Sequence, residues 1–455
     1  MKSMKRFISL VVAILMALTL FGCTSNKSVV SDSSEVSVAG DSTAAKTTDS
    51  SDSTNADGVS AVKASGEVTM WTHAGKWTEI FDMHEKINPD LKLTIVPVDG
   101  NDYLSKFLVA YNSGTGLPDI GSIEMNTRGY LLSQKDMWEN LEAEPYNLNR
   151  DDMLDFLVPM AISPDDKISG IECGAAPGGL IYRRDLALKY FGTDDPDKLA
   201  AMFDTWDKLI EAGIKLQKET DGKVFMFPSI KDVFVPMQEQ STIPYLDDNN
   251  KLNLDKAILP VLERLKKMLD TGMIDSINQW DPAWYNAMAG ENHIFFYGPA
   301  WMPGAVIAPA VPETSGKWGL MACPEGAYNE GGTLMSIPTA AANKEGAWEL
   351  ISWALWSVDG AKIVRDKIGY ISSYAPVYED KTFYDIPNDF FGGQYVLNTY
   401  IDIAKKIMPR PLYKYDNVVG DAIDMGALSM GNGVSVADAL ASIKSDIITK
   451  LPELK

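Results

Sequence analysis

Three histidines, three cysteines and sixty-two carboxylates are the side chains here that could bind a metal, attack an electrophile or move a proton. Their spacing composes no catalytic motif. His73, His84 and His293 are too scattered for the short ligand intervals of a zinc site. There is no Gly-x-Ser-x-Gly, P-loop or His-Glu-x-x-His, and the one Ser-x-x-Lys, Ser60 to Lys63, sits in a Ser/Thr-rich run. With so many carboxylates, finding two acids for glycoside hydrolysis decides nothing, because their separation in space sets that chemistry. Eleven Trp and eighteen Tyr supply flat faces, most of them for the core. The net charge of −21 disfavours nucleic acid and anionic headgroups as partners.

At the N-terminus one cysteine has a sharper reading. Lys2, Lys5 and Arg6 precede an apolar stretch at 7–21, interrupted only by Ser9 and Thr19. That is a signal-peptide pattern, short for a membrane-spanning helix. It ends in Leu20-Phe21-Gly22-Cys23, which resembles the lipobox of bacterial lipoproteins. The resemblance implies cleavage after residue 22 and a thioether-linked diacylglycerol on Cys23; two or more acyl chains hold far longer than one. Residues 24–65 contain no aromatic, Leu, Ile or Met and cannot bury enough apolar surface to offset their ordering entropy. They are expected to be a disordered tether with a span of about 35 Å. Cys173 and Cys323 then remain, either as a disulfide or as two buried thiols.

The body, about 390 residues, is long enough for two or three cores. A strand at 67–71 precedes a helix through Trp77, Ile80, Phe81, His84 and Ile87, which Asn88-Pro89 stops. A strand at 91–98, a helix through Tyr103, Phe107 and Tyr111, and a strand from Asp119 follow. This alternation predicts βαβ units around a largely parallel sheet, whose ligands bind beyond the carboxyl ends of the strands. Further helices are expected at 205–216, 257–269, 347–367 and 436–451, with strands at 294–297 and 318–322.

Five stretches resemble the extracellular solute-binding proteins, family 1, which serve ABC importers of sugars. They are 81–90 with its Asn88-Pro89-Asp90; 111–120 with Leu117-Pro118-Asp119-Ile120; and 179–185 followed by Thr205-Trp206-Asp207-Lys208-Leu209. The other two are 286–290 with Gly298-Pro299-Ala300-Trp301, and Cys323-Pro324-Glu325-Gly326 followed by Gly331-Gly332 and Ala347-Trp348-Glu349-Leu350. Departures are Phe203 at the place of a usual Pro, Arg183-Arg184 for Asn-Lys, and a Gly/Ala-rich 175–178. The resemblance implies an α/β, two-lobe periplasmic-binding-protein-like fold (type II), hinged by two to three crossing strands. By analogy the crossings fall near 171–177, 319–324 and 372–376. That makes an N-terminal lobe of 66–171 plus 326–372 and a C-terminal lobe of 177–320 plus 376–455, and it puts Cys173 and Cys323 on neighbouring hinge strands.

The same resemblance implies a carbohydrate, an oligosaccharide in particular, held in the cleft and delivered to a membrane permease. The protein is then a monomer with no cofactor and no metal, and not an enzyme. Sugar sites combine aromatic faces with planar polar side chains that fork across hydroxyls. By the family's layout the candidates are His73, Lys76 and Trp77 after the first strand, and Glu124, Asn126 and Arg128 after the third. In the second lobe they are Trp280, Asp281, Trp284 and Trp301, with Tyr328 and Glu330 after the second crossing. Trp280 and Trp301 are the expected stacking residues. Trp77 also has core spacing with Ile80 and Phe81, and Arg128 could pair with a carboxylate instead. The competing classes are a glycosidase-like enzyme and a surface scaffold or adhesin. Thr24 rather than Asp after Cys23, with the acidic body, points to a Gram-positive cell surface rather than a periplasm.

Overall fold

Strand β1, Gly66–Thr72, buries Val68, Met70 and Thr72 and turns the intervening residues outward, the period-2 pattern of a half-covered strand. The computed structural model in which it lies describes residues 64–72 and 76–455. Cys23, almost all of the expected tether and His73 lie outside the described residues. The body begins slightly earlier than expected. Ala64 is buried, its N–H donates to Glu349 Oε2 at 2.7 Å, and its carbonyl accepts from Asn88 Nδ2 at 2.9 Å.

Two sheets organise the chain. The first has the order β2-β1-β3-β9-β4, with β2 at Leu91–Pro97, β3 at Ile120–Glu124, β4 at Ile171–Glu172 and β9 at Thr333–Ser336. In the second, β5 (Pro177–Arg183) is central and fully buried, and pairs with β6 (Phe295–Pro299), β7 (Trp318–Met321) and β8 (Tyr328–Asn329). The expected largely parallel sheet is only partly present. β1 pairs parallel with β2 and β3, whereas β9 is antiparallel to β3 and β4, and every partner of β5 is antiparallel to it. The first three strands enter by helical crossovers from one side, while β9 returns from the other sheet and so runs the opposite way.

The helices follow their capping chemistry. Asp99 caps Gly100–Ser113 by accepting from Asn101 N, and Gly114 ends it in the left-handed region at φ 64°. Thr205 caps Trp206–Glu219 through Lys208 N. The single helix expected at 347–367 is two, Lys344–Leu355 and Val358–Ile368, because Trp356 leaves helical geometry and Ser357 caps a new start through Gly360 N.

The chain passes between the sheets at three places. Residues 173–176 join β4 to β5, where Cys173 N donates to Thr333 O at 2.8 Å and Ala175 N to Ile371 O at 2.9 Å. The second passage is not at 319–324, which lies in the second lobe. β7 pairs there with β5, and the Glu325 turn is tied to the helices of that lobe through Trp206 N and Arg264. The passage comes at 330–332, after β8. Gly331 (φ 85°) and Gly332 (φ 107°) make it, and a Cβ on Gly332 would stand 2.9 Å from Glu172 Oε1. A third strand segment runs beside the first, where Ser373 Oγ donates to Glu172 O at 2.9 Å. Cys173 and Cys323 are both buried free thiols, and burial holds each above the usual thiol range.

Candidate ligand cleft

Between the sheets lies a cavity of about 730 Å³. Its floor is the crossing segments: Gly174 and Ala175 from the first, Asn329 to Thr333 from the second. The floor is fixed by a backbone bond, Glu330 N donating to Ala176 O at 3.0 Å, and by the Asn329 side chain, whose Oδ1 accepts from Ala176 N at 3.2 Å.

One wall is aromatic. Trp280 and Trp301 face each other nearly parallel, with ring centroids 6.1 Å apart and an interplanar angle of 23°. Tyr297 meets Trp301 edge-on at 5.8 Å. Trp301 is held by its indole N–H, which donates to Glu330 O at 3.0 Å, and it packs so close to Gly331 that a Cβ there would stand 3.1 Å from Nε1. Trp280 is 46 % exposed and left-handed at φ 73°, a costly conformation for a bulky residue that the surrounding fold must enforce. Beneath it, fully buried Trp284 donates from Nε1 to Asp232 Oδ2 at 2.8 Å, and Asp232 also accepts from Ser229 Oγ and Tyr297 N. That buried carboxylate fixes the base of the aromatic wall.

The other wall is charged. Helix Lys231–Glu239 presents Lys231, Gln238 and Glu239, and helix Asp416–Met430 presents Asp416, Asp421 and Asp424. Lys231 pairs with Asp424. Arg410 stands 3.8 Å from Glu239 Oε1 and lies over the Tyr245 ring at 4.0 Å. Glu330 reaches into this charge from the floor. Burial, with Glu239 and Asp424 beside it and Lys231 only partly opposing them, pushes its carboxyl up to about 8. Burial also raises Asp416 to about 6, against the N–H of Tyr413 and the charge of Arg410. Along the cavity, Gln279 Nε2, Arg410 Nη1 and Glu330 Oε2 are buried with no hydrogen-bond partner among the described residues. Two N–H donors and one carboxyl oxygen thus await a polar ligand.

The candidates named from sequence divide sharply. Glu124, Asn126, Trp280, Trp301 and Glu330 line the cavity. Trp77 does not; it is buried against Phe81 and stands behind Tyr370, which does line it. Arg128 is fully buried and makes an ion pair with Glu172 at 2.8 Å, so it braces the crossing segments from behind. Trp284 and Tyr328 are also fully buried; the Tyr328 hydroxyl donates to Gly179 O at 3.0 Å. Lys76 and Asp281 are exposed and outside the cavity. The charged wall was missed altogether. Its one sequence signal is the polar face of 416–424, opposite the buried Val419, Ala422 and Ile423.

Two α/β lobes joined by short crossings, with a mixed aromatic and polar cavity at the joint, define a two-lobed ligand-binding protein of the type II periplasmic-binding class. Residues 79–390 match the family described as bacterial extracellular solute-binding protein, and the chain belongs to that family. It is 23 % identical over 401 residues to the lactose-binding protein of Rhizobium radiobacter, covering 83 % of this chain and 92 % of that protein. It is 22 % identical over 374 residues to the arabinooligosaccharide-binding protein of Halalkalibacterium halodurans, covering 76 % of this chain and 80 % of that one. A crystal structure of an extracellular solute-binding protein of family 1 superposes with a TM-score of 0.75 at 21 % identity, over 84 % of this chain and 99 % of the other. Among the described residues no helix is long and apolar enough to cross a membrane.

Proposed function

We propose that this chain is the substrate-binding lipoprotein of an ABC importer, which captures a carbohydrate between its lobes and presents it to a membrane permease. The observation that carries the reading is the pairing of Trp280 and Trp301 on one side of the cavity with hydrogen-bonding groups on the other. Indole faces cover the C–H face of a pyranose, while Gln279 and Arg410 supply donors for hydroxyls. A volume of about 730 Å³ lies in the range of sites for drug-sized ligands and favours an oligosaccharide. The sugar-binding relatives agree with this.

The lobes close by hinge motion at the crossings, and a ligand that touches both shifts the open–closed balance by its differential affinity for the closed form. No catalytic acid pair enters the reading, and the protein acts as a monomer. A melting-temperature screen over neutral, amino and acidic mono- and oligosaccharides should give a rise of several degrees with its cognate sugar. No rise with any sugar, alongside a rise with a polyol or organic anion, would overturn the carbohydrate reading.

The lipid on Cys23 would confine the receptor to the plane of its permease, at the outer face of a Gram-positive membrane. Mass spectrometry of the membrane-extracted protein should find the Cys23 acyl adduct, and Cys23→Ser should release the protein to the medium. An unmodified Cys23 would remove the anchor.

A further inference from the structure

The charge of the cavity exceeds what hydroxyl recognition calls for. Six carboxylates line it, Glu124, Glu239, Glu330, Asp416, Asp421 and Asp424, against two cations, Lys231 and Arg410. Both cations are already engaged, Lys231 by Asp424 and Arg410 by Glu239. Glu330 makes no ion pair with either. Its backbone is locked at both ends, N–H to Ala176 and carbonyl to the Trp301 indole, so the carboxyl is held at the junction of the charged and aromatic walls. There Oε2 is buried and unpartnered. No group of three His, Cys, Asp or Glu among the described residues is arranged to hold a metal ion, so the negative charge is spread along the wall rather than focused on one point.

A neutral sugar can exchange hydrogen bonds with these acids but brings no positive charge to a wall where acids outnumber cations, in a site that closes away from water. A protonated amine on the sugar ring answers both features of the junction. It forms a charge-assisted hydrogen bond with a carboxylate, and an indole face attracts its positive charge. We propose that the cognate ligand carries a basic nitrogen, and that this cleft favours an amino sugar over the hydroxyl sugar of the same ring and linkage, with the ammonium beside Glu330 and the ring against Trp301. The proposal rests on the carbohydrate reading above and narrows it. Sugars bearing carboxylate, phosphate or sulfate are correspondingly excluded.

Calorimetric titration with matched pairs tests it: glucosamine against glucose, galactosamine against galactose, and the β-linked di- and trisaccharides of each, at pH 7 in the whole purified protein. The amine member of the best-bound pair should bind at least tenfold more tightly. Glu330→Gln should bring the two members of that pair to within about threefold by weakening only the amine, since Gln keeps the shape but has no proton to give up on binding and so cannot become the carboxylate that pairs with the ammonium. If the neutral member binds equally or better, the amine proposal falls while the carbohydrate reading stands. If neither series binds, both fall. Should Glu330→Gln fail to fold, the wild-type pairs still decide.

Discussion

The two walls of the cleft are built on opposite principles. The aromatic wall is a stack of mutual supports: Asp232 holds Trp284, Trp284 underlies Trp280 at 4.9 Å, and the Glu330 carbonyl holds Trp301. Its shape is set before any ligand arrives. The charged wall is held by helices, but its side chains oppose one another and leave buried polar atoms unpartnered. One wall is preorganised and tolerant of ring type; the other is unsatisfied and therefore selective. The difference assigns affinity mainly to the indoles and discrimination mainly to the acids.

The largest effect should come from Trp301→Ala. Removing a large stacking face, and the partner of Trp280, should cost about 2–3 kcal/mol of binding, a loss of roughly 30- to 150-fold by titration. A loss under threefold would show that the aromatic wall is core rather than site. A smaller effect should follow from changing how the walls meet. Gly129, buried on helix Met125–Leu132 of the first lobe, approaches the segment leading into the charged wall so closely that a Cβ would stand 2.0 Å from Tyr413 O. Gly129→Ala should therefore oppose closure by about 1–3 kcal/mol, the usual overpacking cost. Ligand affinity should fall about tenfold or more, and by more than any loss in the melting temperature of the empty protein accounts for. If the melting temperature falls and affinity does not, the contact is structural and not part of closure.

How much of this the sequence revealed tracks the same division. Periodicity located β1, β2, β3, β6 and β7 and several of the longer helices, because burial on one face writes itself into spacing, but it gave neither the fully buried β5 nor helix Asp416–Met430. It carries no sign of strand direction, so the antiparallel return of β9 was invisible. The second crossing, placed by analogy at 319–324, falls about ten residues later, and the chain has a turn at each place, Pro324-Glu325-Gly326 and Gly331-Gly332. Only the first is a turn within one lobe. Trp280 and Trp301 are named through the layout that the family resemblance implies, Trp280 just before helix Pro282–Ala289 and Trp301 just past β6. Trp77, Trp284 and Arg128 meet similar criteria yet are buried, and spacing does not tell an inward side chain from one facing the cavity. The charged wall joins Glu239 to Arg410 and Asp424 across a long stretch of chain, and only the folded packing of their helices brings them together.

The smallest effect separates the walls by pH. A carboxyl whose folded value is raised, as Glu330's is to about 8, keeps its proton in the folded state while the unfolded chain has lost it. Its contribution therefore falls as pH rises from the ordinary carboxylate value towards about 8, and is level outside that window. Gln cannot titrate, so the melting temperature of Glu330→Gln minus that of wild type should move steadily in favour of the variant between pH 5 and pH 8. Glu239, Asp424 and Lys231, which face Glu330 from the two helices, and Tyr297 from β6, are present in both proteins and largely cancel in that difference. Trp301→Ala keeps Glu330 and should show a much flatter difference over the same range. A flat line for Glu330→Gln would mean that its carboxyl is already ionised in the empty cleft, and the charged wall would then be as settled as the aromatic one.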